Sequence, residues 1–293
     1  MRPESSPFHE GECVMQAQSG VRDQAESAGR RMIRDHMPDQ HRHLFAELPT
    51  LMLGTLDAQG RPWASLLVGE PGFVSSPDAT TLAIATLPAP ADPARAHLRV
   101  GAPIAVLGLQ HHTRRRNRAN GEVAAMDEHG LVVRVRQSFG NCPQYIEPRR
   151  VEPKRSGKPT SRIEESGGRL SARAVERVRA SDTFFIASAG RGGSMQEGVD
   201  VSHRGGPPGF VTVTEHQGRT VLEWPDYRGN YMFNTLGNLL VNPRAGLLFV
   251  DYLGDAWLSL TGRTEISGTE EEGRSIRFVL DEAVHVEGVG LAT

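Results

Sequence analysis

The chain has 293 residues, a net charge of −2, 38% hydrophobic residues and 23% charged residues. Length and composition fit a soluble globular protein of about two domains, and the near-neutral balance argues against a general nucleic-acid binder or an acidic tail. Gly (32) and Pro (19) are abundant, which favours turns and strands, and no apolar run approaches the roughly 18 residues of a membrane helix.

Residues 1–19 are polar and mixed and read as a loosely packed arm, with no apolar core for a secretory signal. Val21, Ala25, Ala28, Met32 and Ile33 recur at helical spacing, so 20–36 is expected to form an amphipathic helix. Pro38 suits the first turn of a second helix running to about Glu47. Two apolar runs, 51–56 and 62–68, flank Asp57-Ala58-Gln59-Gly60 as a β-hairpin. Further strands are expected at 81–85 and 104–109, a short helix ending near Val100, and a hairpin of 122–126 with 131–135. Arg149 to Leu170 is charged and poor in apolar residues, the composition of a linker. Ser171 then offers an N-cap, Leu170 and Val175 a hydrophobic staple, and strands resume at 183–187.

Cys13 and Cys142, the only cysteines, give neither a disulfide framework nor a zinc spacing, as in a reducing cytoplasm. His111-His112, and His41 with His43, lack metal-site spacing. The charge run Arg114-Arg115-Arg116-Asn117-Arg118 could grip a nucleic acid or a phosphorylated ligand, but with no interleaved aromatics in a net acidic chain it reads as a solvated or salt-bridged strand edge. No dinucleotide fingerprint, Walker sequence or nucleophile elbow is present.

The most informative stretch is 225–243. An apolar segment leads into Pro225-Asp226-Tyr227-Arg228-Gly229-Asn230, and a short helix follows whose start carries Asn234, Thr235 and Asn238. Free N–H groups and partial positive charge at a helix start suit a phosphate. Two β-rich halves also match in order: 51–55 with 184–188, Pro71-Gly72-Phe73-Val74 with Pro208-Gly209-Phe210-Val211, 104–109 with 245–250, and Asn120-Gly121 with Thr261-Gly262. The polar residues do not repeat. Ser202, His203 and Arg204 fall opposite Ser65, Leu66 and Leu67, while Arg228, Asn230, Asn234 and Thr235 fall opposite Leu87, Ala89, Pro93 and Ala94.

At Gly198 to Val211, Pro225 to Pro243, Arg244 to Asp251 and Thr261-Gly262-Arg263, the sequence resembles the pyridoxamine 5′-phosphate oxidase-like, FMN-binding split-barrel family. The first half looks like a diverged copy, and 138–146 is similar to a motif of a bacterial flavin-binding subgroup. The resemblance implies a mostly β fold of two tandem six-stranded antiparallel split barrels. It places a helical arm at 1–44, a degenerate barrel at 45–148, a linker and short helix at 149–180, and a second barrel at 181–293. It implies FMN at a barrel–barrel interface, usually that of a homodimer, with Ser202, His203, Arg204, Arg228, Asn230, Asn234 and Thr235 around the phosphate. Asp200 and Ser202, two apart on one strand and so on one face, could meet the polar edge of the flavin ring, with Val201 between them also counted as cofactor-binding, and Pro225, Asp226 and Tyr227 could flank the ring. Asn238 lies on the same helix, and Gln144 in a loop suited to cover the site.

Some readings stay open. His203 could bind the ligand or face solvent, Tyr227 and Trp224 could be core aromatics, and Cys142 a small buried residue. Asn234-Thr235 stands where the oxidase has a basic pair, and the oxidase's C-terminal substrate segment is not recognisable, which argues against vitamin B6 oxidation. An FMN oxidoreductase acting on a small molecule or redox partner is expected. A flavin or electron carrier, a deazaflavin or haem protein, or an interaction scaffold are the alternatives.

Overall fold

The computed structural model describes residues 6–153, 160–162, 168–192, 197–253, 256–288 and 291–292. The chain opens with helices α1 (Glu10–Gln18), α2 (Arg22–Met32) and α3 (Asp39–Glu47). The first half then runs β1 (Thr50–Leu56), β2 (Pro62–Val68), β3 (Val74–Asp78), β4 (Thr81–Ile84), α4 (Pro93–His97), β5 (Pro103–Gln110), β6 (Arg115–Met126) and β7 (Leu131–Gly140). Short strands β8 (Glu152–Pro153) and β9 (Thr160–Arg162) and helix α5 (Ala172–Ala180) lead to the second half. That half contains β10 (Thr183–Ala189), β11 (Val199–Gly205), β12 (Thr212–His216), β13 (Arg219–Pro225), α6 (Asn234–Val241), β14 (Arg244–Asp251), β15 (Ala256–Ser267), β16 (Ser275–Glu287) and β17 (Leu291–Ala292).

Local sequence accounts for the hairpins and caps. The Asp57 carboxylate accepts the N–H groups of Gln59 and Arg61 at 2.9 Å each and so closes the β1–β2 turn. Ser171 caps α5, accepting the Ala174 N–H at 3.3 Å, and Leu170 and Val175 meet in the second-half core.

Two all-antiparallel sheets result, with strand orders β2-β1-β5-β6-β7-β4-β3 and β11-β10-β14-β15-β16-β13-β12. The second order is the first with every label raised by nine, so the internal repeat is a repeat of topology. Where six strands were expected in each half, the first sheet has seven and the second has eight, its path of seven joined by β9 alongside β16. The matched pairs Asn120-Gly121 and Thr261-Gly262 have a structural cause: the register of β6 on β7 slips between the first two, and that of β15 on β16 between the second two. A Cβ on Gly121 would stand 1.9 Å from the Arg134 carbonyl oxygen, and one on Gly262 2.2 Å from that of Val279. Only glycine fits at either bulge.

β1 and β10 are buried on both faces, which explains their unbroken apolar runs. Alternate residues of β10, Phe184 and Ile186, enter the core inside the second half, while Phe185, Ala187 and Ala189 enter a separate core between the halves. In the first half Leu51 and Leu53 point inward and Met52 points to the shared core. Burying one such large side chain contributes about 1.5–3 kcal/mol, so the halves form a continuous apolar contact through β1, β2 and β5 against β10, β11 and β14.

Three expectations are corrected. The helix expected over 20–36 is shorter, because Val21 is the N-cap of α2 and Ile33 its extended C-cap. The arm over 6–19 is not loosely packed: it contains α1, whose Gly11, Glu12, Met15 and Gln16 are buried. Gly11 and Gly237 let α1 and α6 touch backbone to backbone, since a Cβ on Gly11 would lie 2.1 Å from the Gly237 carbonyl oxygen. The arginine run is also not a sheet edge, because β6 lies between β5 and β7. Within the expected linker, β8 pairs with β17 and β9 with β16, while 154–159 and 163–167 lie outside the described residues.

Candidate functional site

A cleft of about 900 Å³, open mouth included, lies where the two halves meet. The first half supplies Arg116 and Arg118 from β6 and the loop residues Asn141, Cys142, Gln144 and Tyr145. The second half supplies Ser202, His203 and Arg204 from β11, the turn after β13, and the start of α6. β11 can reach the cleft because it is the edge strand of its sheet.

Arg118 is the best-anchored group. It is 2% exposed. Its guanidinium donates to Asn234 Oδ1 at 3.1 Å and to the Ser202 hydroxyl, lies 3.1 Å from the Asp200 carboxylate, and sits 5.0 Å over the Phe139 ring. Its Nε nonetheless has no partner within the protein, and neither does the Nε of Arg116. Burial, then the charges of Arg204 and Arg118, push Arg116 down to about 10. It is still a cation at neutral pH, but a crowded one. Arg204 is lowered too, by burial, with Asp226 opposing. Burial raises Asp226, against the pull of Arg204 and Arg274, so the one carboxylate in the cleft lining is itself pressed toward its neutral form.

The helix end points the same way. Phe233, the N-cap of α6, has φ +58° and no side chain caps the first turn, which leaves amide donors and the positive end of the helix at the cleft. Tyr231 and Tyr145 are held at φ +59° and +63°, backbone conformations that cost bulky residues energy and cluster at functional sites. At the mouth the exposed rings of Tyr145 and Tyr227 stack with centroids 5.1 Å apart, and the Tyr145 hydroxyl donates to the Arg228 carbonyl at 3.1 Å.

Of the expected residues, Ser202, His203, Arg204, Pro225, Asp226, Tyr227, Asn230, Asn234, Thr235 and Gln144 line the cleft together. Asn230 uses its side-chain oxygen to accept the Met232 N–H at 3.2 Å and so shapes the turn. Asp200 and Asn238 lie below the lining. Asn238 donates to Ser188 at 3.1 Å and to Asp200 at 3.3 Å, and Asn120 donates to Asp200 as well. They brace Arg118 from behind. Val201 points into the core between the halves. Arg228 is not brought in: its side chain is 72% exposed, 3.7 Å from Glu270 and 5.1 Å over the Tyr231 ring. His203 neither faces solvent nor carries a charge. Burial, then the nearby arginines and His111, hold it well below the usual histidine range, and neither ring nitrogen has a partner. Trp224 is a core aromatic, set edge-on to Phe184, whereas Tyr227 is exposed. Cys142 is half-buried on the cleft wall.

Two contributions escaped the sequence reading. Arg116 and Arg118 share a strand face with Asn120 at period two, a signal present inside the charge run. The second is α1, whose Glu12 accepts from the Asn234 amide and whose His9 ring lies 2.9 Å from Asn238 Oδ1.

The strand registers locate the counterpart of this cleft at β2 and β15. Ser65 faces Leu53 as Ser202 faces Ile186, and Ser259 faces Leu248 as Arg118 faces Leu107. There Arg118 is replaced by Ser259, Arg116 by Trp257, His203 by Leu66 and Asp200 by Trp63. Trp63 and Trp257 are buried in the core between the halves, so the counterpart is packed with apolar side chains.

Among the described residues no helix is long and apolar enough to cross a membrane. A family model described as pyridoxamine 5′-phosphate oxidase matches residues 37–162 and 170–282. No curated protein matches the chain. Among solved structures the chain is similar to a protein of Clostridium acetobutylicum related to general stress protein 26 of B. subtilis, of the pyridoxinephosphate oxidase family, with 15% identity over 41% of this chain and 89% of that one and a TM-score of 0.27. It is also similar to an FAD-binding protein from Mesorhizobium loti (13% identity, 46% of this chain, 99% of that one, TM-score 0.28). HutZ, a haem storage protein from Vibrio cholerae, is a third (12% identity, 42% of this chain, 97% of that one, TM-score 0.28). The family match takes in both halves, and on it the chain belongs to the pyridoxamine 5′-phosphate oxidase family.

Proposed function

We propose that the cleft binds FMN and that the protein is an FMN-dependent oxidoreductase acting on a small molecule or redox partner. One observation carries this reading: Arg116 and Arg118 from one half and Arg204 from the other converge on a cleft with buried donors left unpaired. Buried like charges repel, and an anion placed among them removes that penalty and satisfies the donors. A phosphate monoester, with charge and several acceptor oxygens, suits arginine forks and a helix start together.

In this reading Arg116, Arg118, Ser202, Thr235 and the first turn of α6 hold the phosphate. His203, Arg204 and Pro225 to Tyr227 border the ring, and Asn141 to Tyr145 cover it. The unpaired ring nitrogens of His203 and the unpaired Asn141 Oδ1 offer hydrogen bonds to a polar ring edge. Bound FMN would supply two-electron redox chemistry, and the chain supplies binding, orientation and shelter from water. Because both halves of one chain build the cleft, the reading predicts binding by a monomer as well as by a homodimer.

His203 favours one second reading, since a buried neutral histidine with free ring nitrogens is a usual haem ligand. The arginine cluster favours the phosphate. The visible spectrum of the purified protein and the mass of any released cofactor separate the two. FMN released, or FMN taken up on addition, supports the proposal. A Soret band, or a colourless protein that takes up no FMN, overturns it. Turnover of bound FMN by NADH or NADPH, with and without acceptors, then decides enzyme against electron carrier.

A further inference from the structure

The N-terminal helix reaches the cleft through one continuous set of hydrogen bonds. The Glu12 carboxyl accepts the His9 N–H at 2.9 Å on one oxygen and the Asn234 side-chain N–H on the other. The other end of the same Asn234 amide, its Oδ1, accepts from Arg118 at 3.1 Å. Asn234 therefore has one orientation that serves both neighbours. Helix α1 cannot slide along α6 to release it, because Gly11 and Gly237 are in backbone contact and the Glu12 side chain lies against Gly237.

The charges around Glu12 come from three other elements. Asp200 on β11 opposes its ionisation and Arg118 on β6 favours it, while Asn234 and Asn238 on α6 present neutral amides. On its own helix, His9 is held below the usual histidine range by burial, with Asn238, Asp200, Glu197 and Glu10 acting against that shift. Burial and then Asp200 raise Glu12 to about 8. At neutral pH the buried group is thus one carboxylate, Asp200, paired with Arg118. Above pH 8 a second negative charge enters beside the same arginine.

We infer that Glu12 is a positioning residue of the anion site: through Asn234 it fixes Arg118, and its proton sets how strongly that arginine attracts an anion. The inference rests on the reading of the cleft as an anion site. Protonated Glu12 leaves Asp200 as the carboxylate that shares Arg118 with a ligand phosphate, and ionised Glu12 adds a second competitor. Anion affinity therefore falls as pH rises through the range where Glu12 ionises, although a phosphate monoester, with a second pKa near 6, is already doubly charged there.

The test is FMN affinity of the full chain from pH 7 to 9, by flavin fluorescence, for the wild type, Glu12→Gln and Glu12→Ala. The wild type should weaken about tenfold across that range, the size of one charge acting through a partly buried site. Glu12→Gln, which removes the charge and keeps an acceptor for the Asn234 side-chain N–H while losing the one for the His9 N–H, should bind within a few-fold of the wild type at pH 7 and stay flat to pH 9. Glu12→Ala should bind more weakly throughout. A flat wild type, or a Gln variant that falls in parallel with it, overturns the inference. If the wild type takes up no FMN at any pH, the flavin reading fails, and inorganic sulfate, doubly charged at every pH used, decides this one. The rise in Tm on adding sulfate, relative to Arg118→Gln, should shrink from pH 7 to 9 in the wild type and not in Glu12→Gln. An equal rise at both pH values in the wild type overturns it.

Discussion

Arg118 on β6 and Asn234 at the start of α6 are joined by a 3.1 Å hydrogen bond across 116 residues of chain. That bond ties a strand of one half to a helix of the other at the wall of the cleft. The guanidinium comes from the first half and the helix start from the second. The tandem arrangement therefore does within one chain what an interface between two barrels would otherwise do.

The duplication sets the stoichiometry. Because Trp257 and Trp63 stand where the cleft has Arg116 and Asp200, one FMN is expected per chain. Isothermal titration should give a ratio near one whatever the oligomeric state. A ratio of two would mean that the counterpart cleft also opens.

Glu12 also makes stability depend on pH. Its folded-state value, about 8, lies above its ordinary value of 4.5. Between those two values the folded chain holds a proton that the unfolded chain has lost, so stability falls as pH rises from 4.5 to 8. Glu12→Gln removes this loss. It should be more stable than the wild type at pH 8, with the advantage fading toward pH 4.5. Urea unfolding at several pH values measures this, and an advantage independent of pH would contradict it.

Gly11→Ala would force a methyl group to within about 2 Å of the Gly237 carbonyl oxygen, so α1 must move away from α6. Overpacking of this kind typically costs about 1–3 kcal/mol. Urea unfolding should show that loss, and hydrogen exchange should show faster exchange in α1 and the first turn of α6. Exchange unchanged in α6 would mean that α1 does not support the helix start.

The barrels were legible in the sequence because their signals are local. Apolar strands such as Leu51 to Leu56, turn residues such as Asp57 to Gly60, and the two bulge glycines each state their own conformation. The cleft lining was legible on the better-marked second half, at Ser202 to Arg204, Pro225 to Tyr227, Asn230 and Asn234-Thr235, and on the first half only in the loop that carries Gln144. Arg116 and Arg118 were hidden inside a charge run whose period-two arrangement outweighs its net charge. Helix α1 was hidden for a different reason. It has no broad apolar stripe and docks through Gly11, His9 and Glu12, by close backbone approach and hydrogen bonds. Arg228 is near α6 in sequence, but its side chain is carried outward to Glu270.

In the proposed site, arginines from the first half hold the ligand of the second. FMN affinity of Arg118→Ala and Arg228→Ala, measured side by side at pH 7, tests it most directly. Arg118→Ala should lose about 10- to 100-fold, the worth of a charge-assisted hydrogen bond, and Arg228→Ala should keep near wild-type affinity. Unchanged binding in Arg118→Ala, or the larger loss in Arg228→Ala, would contradict it.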